Sequence, residues 1–276
     1  MYEHIEVEPL AGALGAEVRG VEMATDLPDE VAAEVRRAWL DHLVIFLRDQ
    51  HVTPRQQMAF ARRFGEPMEY PQLRGLPEEP LVTAVVKLEH ERNNFGGVWH
   101  SDTTYLPQPP MGSMLLAREV PPFGGDTLFA NQYLAYDALS DGLKRTLDGL
   151  VGVSSSAKAE VSKTAEDRMK EAGQERRTLI AEHPLVRTHP ETGRPALFTS
   201  GAHTTHIKGW TEAESLPLLG FLWDHQVRPE FTCRFRWEPG SLAFWDNRAA
   251  MHFPVNDYHG HRRVMHRITL AGDTPR

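Results

Sequence analysis

Short apolar or alternating runs, separated by turn residues and not interleaved one for one with helices, constrain this chain most. They fall at Leu43–Leu47, Leu81–Leu88, Met111–Glu119, Asp126–Ala130, Phe231–Trp237, Ser241–Asp246 and Val264–Ala271. Such lengths suit strands better than helices. Two earlier runs, His4–Leu10 and Ala16–Val21, carry the same signal. Leu43–Leu47 is apolar throughout and predicts a strand covered on both faces. Helical periodicity marks Asp29–His42, where Val31, Val35, Trp39 and Leu40 share a face. A second helix starts at Thr53 as N-cap with Pro54 in its first turn, and Gly65 lies beyond its end. Helices are also expected over Asn131–Leu150 and Thr211–His225. Without regular βαβ alternation, this order predicts an α+β protein on an antiparallel core. The expected form is a double-sheet jelly roll with flanking helices, whose mouth can hold a small site.

Composition narrows the function. With 276 residues, 41% of them hydrophobic, the chain can bury a sizeable core. A net charge of −8 argues against a broad nucleic-acid surface. Cys233 is the one cysteine, which excludes an intrachain disulfide and a thiolate cluster and suggests a reducing, cytoplasmic compartment. The first residues lack the basic and apolar regions of a signal peptide. No apolar stretch approaches the roughly 20 residues of a membrane span. The expectation is a soluble cytoplasmic protein, one domain over 1–276, with neither nucleic acid nor membrane as partner. The polar, aromatic-free segment from Ser154 to Arg177 is expected to be mobile, either a solvated loop or exposed helix or a lid at about 154–180 that orders over substrate.

His100-Ser101-Asp102 carries the first chemical signal. On an extended strand, residues two apart point to one face, so one imidazole and one carboxylate would converge. That is two-thirds of a 2-His-1-carboxylate triad, which binds non-haem Fe(II) and leaves positions open. The chain has 14 histidines, so the pair alone is a weak signal. His252, after a strong strand and a polar turn, is the candidate third ligand. Arg263 and Arg267 lie four apart and would face the same way on one strand, as a pair of cations that suits anionic ligands. Gly124-Gly125 permits a close backbone approach before Thr127, whose hydroxyl could meet a carboxylate. Arg262 should face outward. His259 and His261 should flank a turn, His189 and His266 should make structural hydrogen bonds, and Trp99 and Trp245 should wall the site.

The motifs Trp99-His100-Ser101-Asp102, Gly124-Gly125-Asp126-Thr127, Val186-Arg187-Thr188-His189-Pro190, Trp245-Asp246-Asn247-Arg248 with His252, and Arg262-Arg263-Val264-Met265-His266-Arg267 resemble the taurine dioxygenase family in order and spacing. Phe46–Gln50 and Arg63–Glu66 extend the resemblance towards the N-terminus. It implies a double-stranded β-helix (jelly roll) core and an Fe(II)- and 2-oxoglutarate-dependent dioxygenase. Such an enzyme would hydroxylate an unactivated C–H of a small anionic substrate with O2 and release succinate and CO2. His100, Asp102 and His252 would bind iron, Thr127 and Arg263 would hold the distal carboxylate of 2-oxoglutarate, and Arg267 would meet the substrate's anionic group. The resemblance also suggests a homodimer or homotetramer. Where taurine-using members surround their substrate, this chain has Tyr70, Leu73 and His203 instead, and its asparagine is displaced to Asn93 and Asn94. Tyr70, Asn94 and His203 are therefore candidate substrate contacts for an anion other than taurine. Two other classes compete. A non-catalytic cupin-like sensor of a small acid or metal would need no dedicated carboxylate anchor. A zinc hydrolase would need a general base near the metal, and none stands out.

Overall fold

The structure is a computed structural model, which describes residues 2–71, 73–158 and 177–276. The N-terminal half supplies β1 (Glu6–Pro9), β2 (Ala16–Arg19), α1 (Asp29–His42), β3 (Val44–Leu47) and α2 (Pro54–Arg62). Next come β4 (Pro67–Met68), β5 (Gly75–Leu76), β6 (Glu79–Lys87), β7 (Gly112–Glu119) and β8 (Thr127–Asn131). Two short helices, α3 (Gln132–Asp137) and α4 (Asp141–Leu147), lead to β9 (Val151–Ser155). Beyond the gap lie β10 (Ile180–Pro184), β11 (Val186–Thr188), β12 (Pro195–Leu197), β13 (Thr204–Ile207) and α5 (Glu212–Gln226). The C-terminal part adds β14 (Thr232–Phe235), β15 (Leu242–Asp246), β16 (Ala250–Pro254) and β17 (Arg263–Leu270).

Among the described residues, the largest sheet runs β1-β2-β3-β15-β7-β17-β6-β5, with β4 also paired to β17. Facing it is a smaller sheet, β14-β8-β16. The pairing is antiparallel apart from β2 with β3. Alternation explains why the large sheet's central strands read as continuous apolar runs. Ile45, Leu47, Met114, Leu116, Leu242 and Phe244 pack on the helix side with Val35 and Trp39 of α1. Val44, Phe46, Ala243 and Trp245 point the other way, against Phe129 and Phe235 of the small sheet. Trp39 stacks on Phe244 with centroids 4.3 Å apart, which seats α1 on the sheet. Val31 and Leu40 are only half-buried on that helix.

The capping signal at Thr53 is realised as a full capping box with Gln56. The helix expected over 131–150 is two helices. Asn131 ends β8 and its side chain caps α3, and Ser140 takes an extended backbone (ψ 152°) and caps α4 by accepting from Leu143 N–H. The N-cap geometry at Ser140 cannot continue a helix, so the segment breaks there. The expected lid begins differently from its polar composition. Ser154 and Ser155 belong to β9, which pairs with β10 and β13, and Ser156 is buried. Residues 159–176 of that segment lie outside the described residues.

Candidate active site

The cavity between the two sheets gathers residues from both. His252 sits on β16 opposite Phe129 of β8, so it faces the large sheet. Its main chain forms an isolated antiparallel bridge with His100, each N–H bonding the other's carbonyl at 2.8 and 3.1 Å. His100 and Asp102 are therefore not on one strand as the spacing predicts. Only His100 pairs, and the chain then turns sharply, with Thr103 at φ 42°. A β-branched residue there is a genuine backbone outlier, of a kind concentrated at functional sites. The turn still delivers the carboxylate. His100, Asp102 and His252 are all buried, with their ligand atoms within 4.8 Å of one another. Asp102 Oδ1 lies 3.8 Å from Nε2 of each histidine and has no hydrogen-bond partner among the described residues.

The protonation pattern suits a metal. His100 Nδ1 is 2.7 Å from the Val98 carbonyl, so Nδ1 carries the proton and the Nε2 lone pair faces inward. Burial lowers the proton affinity of both imidazoles, most strongly at His252. Burial alone would raise Asp102, but Arg267 and the two histidines outweigh it and hold the carboxyl well below the usual range. Two neutral imidazoles and an ionised carboxylate with a bare oxygen are the donor set a divalent cation requires. Gly96, at φ 82°, passes so close that a Cβ there would meet His100 Cε1 at 3.0 Å.

Thr127, Arg263, Trp237, Trp245 and Arg267 line the same cavity. Arg263 and Arg267 face inward together, as their spacing predicts, while Arg262 points out to Glu119 at 2.8 Å. Arg263 is buried, yet its Nε and Nη2 have no partner among the described residues. A buried guanidinium with bare N–H groups is costly unless an anion completes it. Thr127 completes the cradle. Its hydroxyl accepts from Trp237 Nε1 at 2.9 Å, which leaves its own hydrogen to donate. The glycine pair works as expected: a Cβ on Gly124 would strike Asp257 at 2.5 Å, and Gly125 N–H donates to that carboxylate at 2.7 Å. A Cβ on Gly125 would meet the ring of buried Tyr258 at 3.2 Å, so the glycine lets that ring pack closely.

The expected substrate contacts divide. Arg267 lies on the Tyr70 ring (4.4 Å), bonds the outer oxygen of Asp102 and donates to Ser113 at 2.9 Å, so it is engaged within the site. His203 is buried edge-on to His100 and Tyr105, its Nδ1 has no partner among the described residues, and burial drives it to about 3, so it is neutral. Leu73 is half-buried and its N–H closes a turn onto the Tyr70 carbonyl at 3.3 Å. Asn94 is buried, and its amide donates to the Pro254 carbonyl at 2.9 Å, which ties the preceding loop to β16. Trp99 packs on Phe253 and leaves the wall to Trp245. His189 makes its structural bond, to Asp246 at 3.0 Å, whereas His266 Nδ1 has no partner among the described residues. The spacing argument missed Ser113, Trp237, Asn247 and Tyr258. The one available signal was Ser113, a polar residue on the otherwise apolar inward face of β7.

Comparison with known proteins agrees with this geometry. The family described as "Taurine catabolism dioxygenase TauD, TfdA family" matches residues 6–269. The chain is 35% identical to an alpha-ketoglutarate-dependent sulfate ester dioxygenase of Pseudomonas putida, over 98% of this chain and 91% of that protein. It is 34% identical to a (S)-phenoxypropionate/alpha-ketoglutarate-dioxygenase of Sphingobium herbicidovorans, over 97% and 95%. A crystal structure of a taurine dioxygenase from Burkholderia xenovorans superposes with a TM-score of 0.84 at 38% identity, covering 99% of this chain and 91% of that one. The chain belongs to the TauD/TfdA dioxygenase family.

Proposed function

We propose that this protein uses Fe(II), O2 and 2-oxoglutarate to hydroxylate an unactivated C–H of a small anionic organic molecule, releasing succinate and CO2. The observation that carries the reading is that Nε and Nη2 of buried Arg263 have no partner among the described residues, beside the Thr127 hydroxyl and the His100–Asp102–His252 cluster. A sensor of the cupin type has no need of that anchor. When bound, Fe(II) and O2 would supply the oxidising power for C–H hydroxylation, with 2-oxoglutarate as the co-reductant that leaves as succinate and CO2. His100, Asp102 and His252 hold the metal through Nε2, Oδ1 and Nε2. Arg263 and Thr127 take the distal carboxylate of 2-oxoglutarate in a charge-assisted pair, which orients the cosubstrate across the cavity. Phe129, Trp237 and Trp245 wall off water around it.

Arg267 faces the same cavity and is the group that meets the substrate's anion, with Tyr70 beneath it and neutral His203 edge-on to His100. The sulfate ester and phenoxypropionate named for two relatives, and the taurine named for the crystal structure, all carry an anionic group, which supports this class. The chain's departures at Tyr70, Leu73 and His203 favour sulfate esters, other sulfonates or carboxylates over taurine. We read the two facing sheets as a double-stranded β-helix within one domain over 1–276. We place the enzyme in the cytoplasm as a homodimer or homotetramer, in keeping with its single cysteine. Among the described residues no helix is long and apolar enough to cross a membrane. A succinate-release screen over sulfonates, alkyl sulfates, aryloxyalkanoates and neutral analogues tests the substrate class. Stimulation by anions alone supports it. Stimulation by the neutral analogues of equal size contradicts it.

A further inference from the structure

We propose that Ser113, with Asn247 behind it, is the positioning residue that makes Asp102 a one-oxygen metal ligand. Ser113 lies on the inward face of β7 and is fully buried. Its hydroxyl has one hydrogen and two lone pairs, and all three are used. It donates to Asp102 Oδ2 at 2.8 Å and accepts from Asn247 Nδ2 at 3.1 Å and Arg267 Nη2 at 2.9 Å. Asn247 Oδ1 in turn accepts from Trp245 Nε1 at 2.9 Å and from the Asp102 N–H at 3.3 Å. One small network therefore grips both the side chain and the main chain of Asp102.

The grip matters because nothing intrinsic orients a carboxylate. The terminal sp³–sp² torsion of aspartate is broad and roughly two-fold, so hydrogen bonds must set it. Here they hold Oδ2 and leave Oδ1 without a partner among the described residues, 3.8 Å from each histidine Nε2. A carboxylate free to turn could offer both oxygens and fill a position that cosubstrate or O2 requires. Arg267 also touches Oδ2, but it donates to Thr269 as well and faces the cavity where an anionic substrate competes for it. Ser113 has no such second demand, so its hold on Oδ2 persists when Arg267 is drawn to substrate. This inference rests on the metal site proposed above.

Anaerobic titration of the full chain with Co(II), followed by its visible d–d absorption, tests it. Ser113→Ala is expected to raise the Kd for Co(II) about 10–100-fold and to change the d–d band. Ser113→Thr, which keeps the hydroxyl, is expected to restore both. Asn247→Ala is expected to shift Kd in the same direction and carries the test if Ser113→Ala does not fold. Wild-type binding with Kd and band unchanged in the alanine variants would overturn the positioning role alone. Loss in Ser113→Ala that Ser113→Thr does not restore would overturn the role of the hydroxyl. A wild-type chain that took up no Co(II) would overturn the metal site and this role with it.

Discussion

Arg263 shows how a single side chain can declare a ligand. Its guanidinium is removed from water, yet Nε and Nη2 have no partner among the described residues. Truncating one member of a buried charge pair costs about 2–5 kcal/mol, and 2 kcal/mol is about a factor of 30. Arg263→Ala is therefore expected to raise the KM for 2-oxoglutarate at least about 30-fold while leaving the Kd for Co(II) close to wild type. Equal loss of both would place Arg263 in the framework instead. At this scale the sequence was legible where chemistry and spacing coincide: His100 with Asp102, and Arg263 with Arg267. It was silent on Trp237, which aims the Thr127 hydroxyl, and on Asn247, because those contacts come from strands far apart in the chain. The histidine–aspartate spacing led to the right cluster by the wrong local structure, since Asp102 arrives through a strained turn and not along a strand.

Secondary-structure elements carry the site because strands of opposite sheets place ligands on facing surfaces. β16 presents His252, β17 presents the two arginines, and a buried ion-pair network holds the turn between β15 and β16. Asp246 ends β15 and receives Arg248 Nη2 at 2.7 Å, Arg248 Nε at 2.8 Å and His189 Nε2 at 3.0 Å. His189 Nδ1 accepts from two backbone N–H groups, so the proton on Nε2 faces Asp246. Arg248 and Arg36 of α1 share Glu191, which ties the turn, the loop after β11 and α1 together. Burial opposes the Asp246 charge, but Arg248 and His189 outweigh it and hold the folded group below the ordinary 3.8. A depressed carboxyl contributes stability above its unfolded value and loses it as pH falls below that value. Asp246→Asn is expected to cost about 3–5 kcal/mol at pH 7. That gap should narrow by about 1.4 kcal/mol per pH unit below 3.8. Chemical denaturation of both proteins at pH 7 and near pH 3 measures it, and a constant gap would contradict the network. Long elements were readable because periodicity is strong over many residues, as in α1. The short strands β9 to β13 were not, since runs of three to five residues rich in Ser, Thr and His carry no clear period.

On the scale of the whole molecule, a chain of net charge −8 concentrates two buried arginines on one cavity between its sheets. The bulk charge repels small anions, and the local cations in a low-dielectric cleft reverse that field where binding occurs. The paired sheets provide the rigidity this needs, with Trp39 and Phe244 locking the helical layer outside and Phe46 stacked on Phe235 at 3.8 Å inside. The central claim is that the His100–Asp102–His252 cluster and Arg263 form one working Fe(II)/2-oxoglutarate site. Anaerobic addition of Fe(II) and then 2-oxoglutarate, followed by visible spectroscopy, tests it most directly. The wild-type protein should develop a weak visible charge-transfer band, and admitting O2 should bleach it with release of succinate. His252→Ala should show neither. The absence of a band in the wild type at saturating 2-oxoglutarate, or an undiminished band in His252→Ala, would contradict the account.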